Sequence, residues 1–564
     1  MDEFKKDIAR IVSRTAQITE SMLETPKDSE MGDFALPCFN LAKELKKSPE
    51  KIAKEIAEAS APTDYISRIE AVGPYVNFFV NPSKFAESVL VEISKLKNDY
   101  GKSLMGKEKT VMVEYSTPNP NKPQHVGHVR NDLLGMTISN ILEFAGYKVI
   151  KSNLINDRGI HICKSMLAYR LFGENREPNK KTDHFVGDFY VLFNEKVKEN
   201  PALENEAHDM LKKWEEGDKE TLALWRKMNN WVYKGWNETY DNLGIKFDVN
   251  YYESNFYKKG KKIVEDALEK GIFEKNADGA VVAKLEQFGL PDKIVLRADG
   301  TSIYITQDFS LAKMKFDEYN PDQSIYVVGS EHVLYFQQLF KIFKLLQFDF
   351  ADKCFTKIYG MVNVEGARLK SREGKTVDAD DVIAEVTELA RNEVKKRYEN
   401  LSEKEVDERS RAIGLAALKF FMLKQDAIKD INFIPKESLS FEGETGPYVQ
   451  YAYARISSIL EKYGKGAEKD ADFRLIGSGC EKRLVSLIAK FPEVNENAAK
   501  NYDPSIIAHY LISVAQAFSE FYHSCPVLTE NDDVKKARIF LISCARQVIK
   551  NGLALLGVDV LEEM

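Results

Sequence analysis

Thr110–Ile155, TVMVEYSTPNPNKPQHVGHVRNDLLGMTISNILEFAGYKVIKSNLI, decides the fold. It opens with TVMVEYS, a short apolar strand. A loop stiffened by Pro118, Pro120 and Pro123 follows. Val129, Leu133, Leu134, Ile138, Ile141, Leu142 and Ala145 then fall at helical spacing, and Gly146 closes the helix as a C-cap glycine. KVIKSNLI is a second strand. Strand, loop, helix and strand make a βαβ unit, the opening of a parallel α/β sheet. Four later apolar runs, IVLR, SIYITQ, SIYVVG and KIYGMVNV, are expected to supply that sheet's second half.

Working outward, residues 1–100 read as a small α+β domain. Phe4, Ile8, Ile11 and Val12 trace one helix face, a second helix is expected over Phe39 to Ala59, and Tyr65 to Val80 alternates as a hairpin interrupted at Gly73-Pro74. The α/β domain is expected over 106–380, with a helical insertion at about 165–260. A helical connector over 381–440 and an α-helical bundle over 441–564 complete an α/β multidomain chain. With 564 residues, several domains are expected on size alone.

Composition excludes more than it assigns. Hydrophobic residues at 44% and charged residues at 30% describe a folded globular chain and exclude global disorder. MDEFKKDIARIVSR carries charges throughout, so no secretory signal is expected, and no apolar run reaches spanning length. Cys38, Cys163, Cys354, Cys480, Cys525 and Cys544 form no CxxC pair and no set at zinc-finger spacing. A disulfide framework and a structural zinc are therefore not expected, and the cytoplasm is the expected compartment. A net charge of −7 does not by itself point to a nucleic-acid partner, although local basic faces remain compatible with it.

Chemistry concentrates at His125-Val126-Gly127-His128. The motif sits where a strand hands over to a helix whose first N–H groups are unpaired, a ready site for a polyphosphate. Two imidazoles there offer donors to phosphate oxygens, and Gly127 lets a nucleotide approach the backbone. HxGH alone also reads as a turn bearing two surface histidines; its strand–loop–helix context is what the phosphate reading requires.

The run EYSTPNPNKPQHVGHVRNDLLG resembles class I aminoacyl-tRNA synthetases, in which HVGH is a form of the HIGH motif, and within them the arginyl-tRNA synthetases. DGTSIYITQD (Asp299–Asp308), VGSEH (Val328–His332), GETGPYVQYAYARISSIL (Gly443–Leu460), FYHSCPVL and the terminal GLALLGVDVLEEM extend that resemblance along the chain. It implies a Rossmann-like catalytic domain, an N-terminal domain that touches tRNA and a C-terminal anticodon-binding bundle. The implied reaction joins L-arginine to tRNA(Arg) with ATP and its Mg2+, in a monomer with no membrane association. Bound tRNA is implied to precede arginine activation.

Residue by residue, the resemblance implies His125, Gly127, His128 and Lys122 for ATP. Glu114, Tyr304 and Asp308 would receive the guanidinium, Ser116 and Asn119 the amino-acid head group, with His332 beside them. A guanidinium requires carboxylates set for bidentate pairing. Tyr304 also reads as a strand-core tyrosine, and Asp308 as the cap of a helix starting at Phe309. The second class motif, KMSKS, departs from pattern. Its match is Arg368-Leu369-Lys370-Ser371-Arg372, with Ser371 where a catalytic lysine normally stands. Lys122, just ahead of HVGH, is expected to supply the missing charge, with Arg368, Lys370 and Arg372 as loop contributors. Tyr75 and Asn77 are implied for tRNA contact by the first domain, and Tyr448, Arg455, Tyr522 and Met564 for the anticodon. Another class I synthetase, cysteinyl or glutaminyl, and a non-catalytic tRNA-binding relative are the rival readings.

Overall fold

The computed structural model describes residues 2–26, 28, 31–365, 377–466 and 471–564. They divide into two compact units: residues 1–100, 455–491 and 513–549 in the first, and 101–454, 492–512 and 550–564 in the second.

In the first unit, β1 (Phe34–Pro37), β2 (Ile66–Val72) and β3 (Tyr75–Val80) form an antiparallel sheet in the order β1-β3-β2. Val72 pairs with Tyr75, so Gly73-Pro74 is the whole turn, and Gly73 takes the left-handed conformation (φ 56°) that such a turn needs. Phe4, Ile8, Ile11 and Val12 are buried on the face their spacing predicts, against Phe34, Ile56 and Phe78. The helix expected over Phe39 to Ala59 is two. Phe39–Leu45 ends at Lys46 in the left-handed region, and Pro49–Ala59 restarts with Ser48 as its cap and Pro49 in its first turn.

The second unit is built on a parallel sheet of β4 (Thr110–Glu114), β5 (Lys148–Ile155), β6 (Val249–Tyr252), β10 (Gln323–Gly329) and β11 (Cys354–Tyr359), in the order β11-β10-β4-β5-β6. From β4 the chain winds to β5 and β6 on one side, then crosses to β10 and β11 on the other. Winding reverses between β4 and β10, and a crevice opens beyond their carboxyl ends at such a point. The strands are apolar because both sheet faces are covered by helices, including Val126–Phe144 and Tyr304–Tyr319.

Two of the expected strands are placed differently. IVLR lies in β9 (Lys293–Leu296), part of a small antiparallel sheet with β7 (Glu274–Lys275) and β8 (Val281–Ala283). SIYITQ enters the Tyr304–Tyr319 helix. Ile305, Phe309, Ala312 and Phe316 fall at i, i+4, i+7 and i+11 and bury together, so helical period over sixteen residues outweighs the β-branched opening. KIYGMVNV divides at Gly360-Met361. Its first half is in β11, and β12 (Val362–Val364) leaves the main sheet to pair with β13 (Ile431–Phe433). The helical segment expected to about 260 yields earlier, since β6 returns within it to the sheet. Beyond Ala379 the described chain is helical apart from β13, and no described helix is long and apolar enough to cross a membrane.

Candidate active site

β4 delivers Glu114 to the crevice, and the chain then turns abruptly. Ser116 (φ 73°) and Thr117 (φ 45°) both take left-handed backbone, a costly conformation for side chains of this kind. Two amides hold them there. Asn131 Oδ1 accepts from the Ser116 N–H at 2.6 Å, and Asn153 Oδ1 from the Thr117 N–H at 3.1 Å. Asn131 also donates to the Val327 carbonyl at 2.8 Å, so one side chain of the Val126–Phe144 helix ties β4 to β10 at the reversal point.

The proline loop leads into His125, the N-cap of that helix. His125 Nδ1 accepts from the Gly127 N–H, and His128 Nδ1 accepts from the His125 N–H, both at 3.1 Å. A ring nitrogen that accepts carries no proton. Each neutral imidazole therefore bears its proton on Nε2, free to donate. The rings lie 3.9 Å apart between centroids. Burial, reinforced by the neighbouring charge of Lys122, lowers His125 to about 4 and drives His128 well below its ordinary value, so both are neutral at physiological pH. Burial also lowers Lys122, with Asp378 opposing. A β-carbon on Gly127 would lie 3.0 Å from His125 ring atoms, so any larger residue there would press on that ring.

Behind the motif, Arg130 is completely buried. Its guanidinium donates to the carbonyls of Gly360 (2.7 Å) and Lys429 (2.8 Å), fixing the helix to the chain between β11 and β12 and to the segment that leads into β13. Asp132 is also fully buried, and no well-formed hydrogen bond reaches either of its carboxyl oxygens among the described residues. Burial raises its pKa well above the carboxylate range, with Ser116 only partly opposing. The folded state thus holds a proton that the unfolded chain releases above about pH 4. Stability is expected to fall as pH rises from there toward the folded pKa. Thermal midpoints followed between pH 4.5 and 8 should show this slope flattened in Asp132→Asn; an unchanged slope would refute the protonated assignment.

The opposite chemistry comes from the Tyr304–Tyr319 helix. Tyr304, Asp308, Leu311 and Lys315 share one face and line the crevice. Tyr304 is 65% exposed, not in the core of a strand, and Asp308 lies inside the helix, not at its cap. The Asp308 carboxylate accepts from the Tyr335 hydroxyl; burial nevertheless raises it to about 6, with Glu114 adding to the rise. Glu253, in the turn after β6, is raised to about 7 by burial, although Arg158 lies 3.5 Å away. Glu114 already has a protein partner, since its carboxylate pairs with the fully buried ammonium of Lys315. Ser116 is likewise engaged, its hydroxyl 2.7 Å from that of Tyr240. Asn119 is exposed in the crevice, and His332 stands at its wall near Glu331.

One cleft of about 840 Å³ is lined by Glu114, Ser116, Asn119, Lys122, His125, Gly127, His128, Tyr304, Asp308 and His332 together. Arg368, Lys370 and Arg372 lie outside the described residues. Glu253, Lys315 and Tyr335 also line the cleft and escaped the sequence reading. Lys315 was legible as Asp308+7, had the segment been read as a helix. Glu253 carried the weaker signal of a carboxylate directly after an aromatic strand.

The tRNA candidates lie elsewhere. Tyr75 is 36% exposed, edge-on to the exposed ring of Phe39, whereas Asn77 is buried with its amide toward the Met31 sulfur. Burial leaves Asn77 no open edge for a base. Arg455 lies 3.7 Å over the ring of Tyr522 in the first unit. Tyr448 and Met564 belong to the second unit, where Met564 packs against the cluster of Ala390, Val394 and Val406.

An HVGH turn at the reversal point of a parallel sheet faces an acidic wall across one cleft, the arrangement that the resemblance to class I aminoacyl-tRNA synthetases implies. Family comparison agrees. Residues 89–434 match the catalytic domain of class I (R) tRNA synthetases, 449–564 the DALR anticodon binding domain and 2–80 the arginyl tRNA synthetase N-terminal domain. The arginine–tRNA ligase of Treponema denticola is 44% identical over 560 residues, spanning 96% of this chain and 94% of that protein. That of Parabacteroides distasonis is 42% identical, with 97% of each covered. The solved Thermus thermophilus arginyl-tRNA synthetase superposes with a TM-score of 0.81 at 26% identity over the whole of both chains. The chain belongs to the arginyl-tRNA synthetase family.

Proposed function

We propose that this cleft activates L-arginine with ATP and passes the arginyl group to tRNA(Arg). The family assignment makes the chain an arginine–tRNA ligase; the residue roles rest on the cleft. The observation that carries them is that two neutral Nε2–H donors, a lysine and Asp308 share a single cavity. The imidazoles donate to the α-phosphate oxygens as charge builds, and Lys122 supplies the cation. Asp308 pairs with the guanidinium, Glu253 adds a second carboxylate and Tyr304 bounds its plane. Asn119 takes the head group. Ser116 serves through its backbone turn, its hydroxyl being occupied. Mg2+ enters with the ATP phosphates. The arginine carboxylate attacks the α-phosphorus and pyrophosphate leaves. A hydroxyl of the terminal tRNA ribose then attacks the adenylate carbonyl and AMP leaves. Positioning and charge stabilisation supply most of the catalysis.

For tRNA, we assign the Tyr75 face to unpaired bases, and Arg455, Tyr522, Tyr448 and Met564 to the anticodon. The cysteine pattern supports a cytoplasmic enzyme, and we take it to act as a monomer. Charging of tRNA with labelled arginine, omitting ATP or tRNA in turn, tests the whole assignment. Activation of cysteine or glutamine in preference to arginine would overturn it, as would tight tRNA binding without charging. Arginine-dependent pyrophosphate exchange is expected to need tRNA.

The acidic wall predicts a pH dependence. Burial raises Asp308 to about 6 and Glu253 to about 7, and the guanidinium selects their ionised forms. Below pH 6 kcat/KM for arginine should fall at least tenfold per pH unit, through KM, while KM for ATP stays level. A flat arginine KM between pH 5 and 7.5 would contradict this.

A further inference from the structure

Two helices of the second unit, Thr182–Glu199 and Lys219–Leu243, pack against one flank of the HVGH turn without reaching the cleft, and the Val377–Ala379 backbone pairs with the other. On one flank, the Trp236 indole N–H donates to the Lys122 carbonyl at 3.2 Å. Gly187 packs so closely that a β-carbon there would sit 2.8 Å from Pro123. On the other flank, His125 and Asp378 form an antiparallel bridge. The Val126 N–H donates to the Val377 carbonyl and the Ala379 N–H to the Gln124 carbonyl, each at 2.9 Å. This bridge is the backbone from which the His125 ring projects.

Two residues past Asp378 of the bridge, Asp380 gathers three donors from the same two helices and the residue before them. His184 Nε2 and Lys181 Nζ each donate at 2.7 Å, and the Thr239 hydroxyl at 3.0 Å. Lys181 also donates to the buried carboxylate of Asp183 at 2.9 Å and to Thr239 at 2.7 Å. Asp183, His184 and Asp380 lie close enough to resemble a metal set, but the Lys181 ammonium already binds both carboxylates. Burial alone would raise Asp380; its donors outweigh that and hold it at about 2, so it is an anion at every working pH.

We propose that Asp380, held by Lys181, His184 and Thr239, is a positioning residue for the activation step: it anchors the Val377–Ala379 backbone against Gln124–Val126 and so sets His125 and Lys122 for the ATP phosphates. The role rests on reading the HVGH turn as the ATP site. It makes the insertion helices part of the nucleotide site through contact, with no side chain of the cluster touching the nucleotide.

Asp380→Asn in the full-length enzyme is expected to raise KM for ATP at least tenfold. KM for arginine should stay within twofold and the thermal midpoint within a few degrees. Thr239→Val, which removes one donor only, should produce a smaller shift of the same kind, and Lys181→Arg should keep most of the ATP affinity that Lys181→Met loses. Asp380→Asn combined with Lys181→Met should be no worse than the poorer single variant, as for residues acting as a unit. Calorimetric titration with ATP alone separates this proposal from the assignment to arginine: loss of ATP binding in Asp380→Asn supports it whatever amino acid the wild type charges. An unchanged KM for ATP would overturn it. So would a parallel rise in all substrate constants with a collapsed midpoint, or a stoichiometric divalent ion retained after dialysis and released by Asp380→Asn.

Discussion

Replacing Asp308 with asparagine is expected to raise KM for arginine by two to three orders of magnitude while leaving KM for ATP nearly unchanged. The carboxylate is the one acid on the Tyr304–Tyr319 helix face that lines the cleft, and among the described residues its hydrogen-bond partner there is the Tyr335 hydroxyl, which a guanidinium can join. Glu114 cannot take over, because Lys315 holds it. Truncating one member of a desolvated charge pair costs about 2–5 kcal/mol, or roughly 30- to several-thousand-fold. Asparagine preserves the shape and one acceptor, so the change isolates the charge. Aminoacylation at saturating ATP and tRNA with arginine varied measures it. An effect under fivefold would move the guanidinium site away from Asp308, with Glu253 the next carboxylate to test.

Lys122→Ala is expected to slow adenylate formation by about 10²–10³, the usual consequence of removing one preorganised stabilising group from a developing anionic centre. Both imidazoles are held neutral, which leaves Lys122 as the cationic side chain beside them among the described residues. Its backbone is fixed by Trp236 independently of its ammonium, so the thermal midpoint should hardly move. Single-turnover activation with saturating ATP and tRNA separates chemistry from binding. Activation within twofold of wild type would transfer the missing charge to the Arg368–Arg372 segment.

The sequence made the strand–loop–helix of the HVGH motif readable because three signals agree there: β-branched run, proline loop and a stripe at 3.6 spacing. The same agreement was missing at SIYITQ, where four residues of β preference hid a helix whose period needs the twelve residues from Ile305 to Phe316 to appear. That slip hid Lys315, and with it the neutralisation of Glu114. Ser116 illustrates a different limit. Its identity suggested a hydroxyl ligand, yet the hydroxyl is committed to Tyr240, 124 positions later in the chain. No local pattern announces so distant a partner. Asn77 failed for the same kind of reason: alternation along a strand says which residues share a face, not which face the rest of the fold will cover.

The locked imidazoles have a consequence for a cell under acid stress. With Nδ1 of each ring accepting from a backbone N–H, the half of the cleft proposed for ATP should not respond to acidification of a unit or so, whereas the carboxylates opposite should begin to lose charge. Acid then weakens the enzyme's hold on one metabolite and not the other. Slowed charging in an acidified cell would mimic arginine starvation, and extra arginine would relieve it where extra ATP would not.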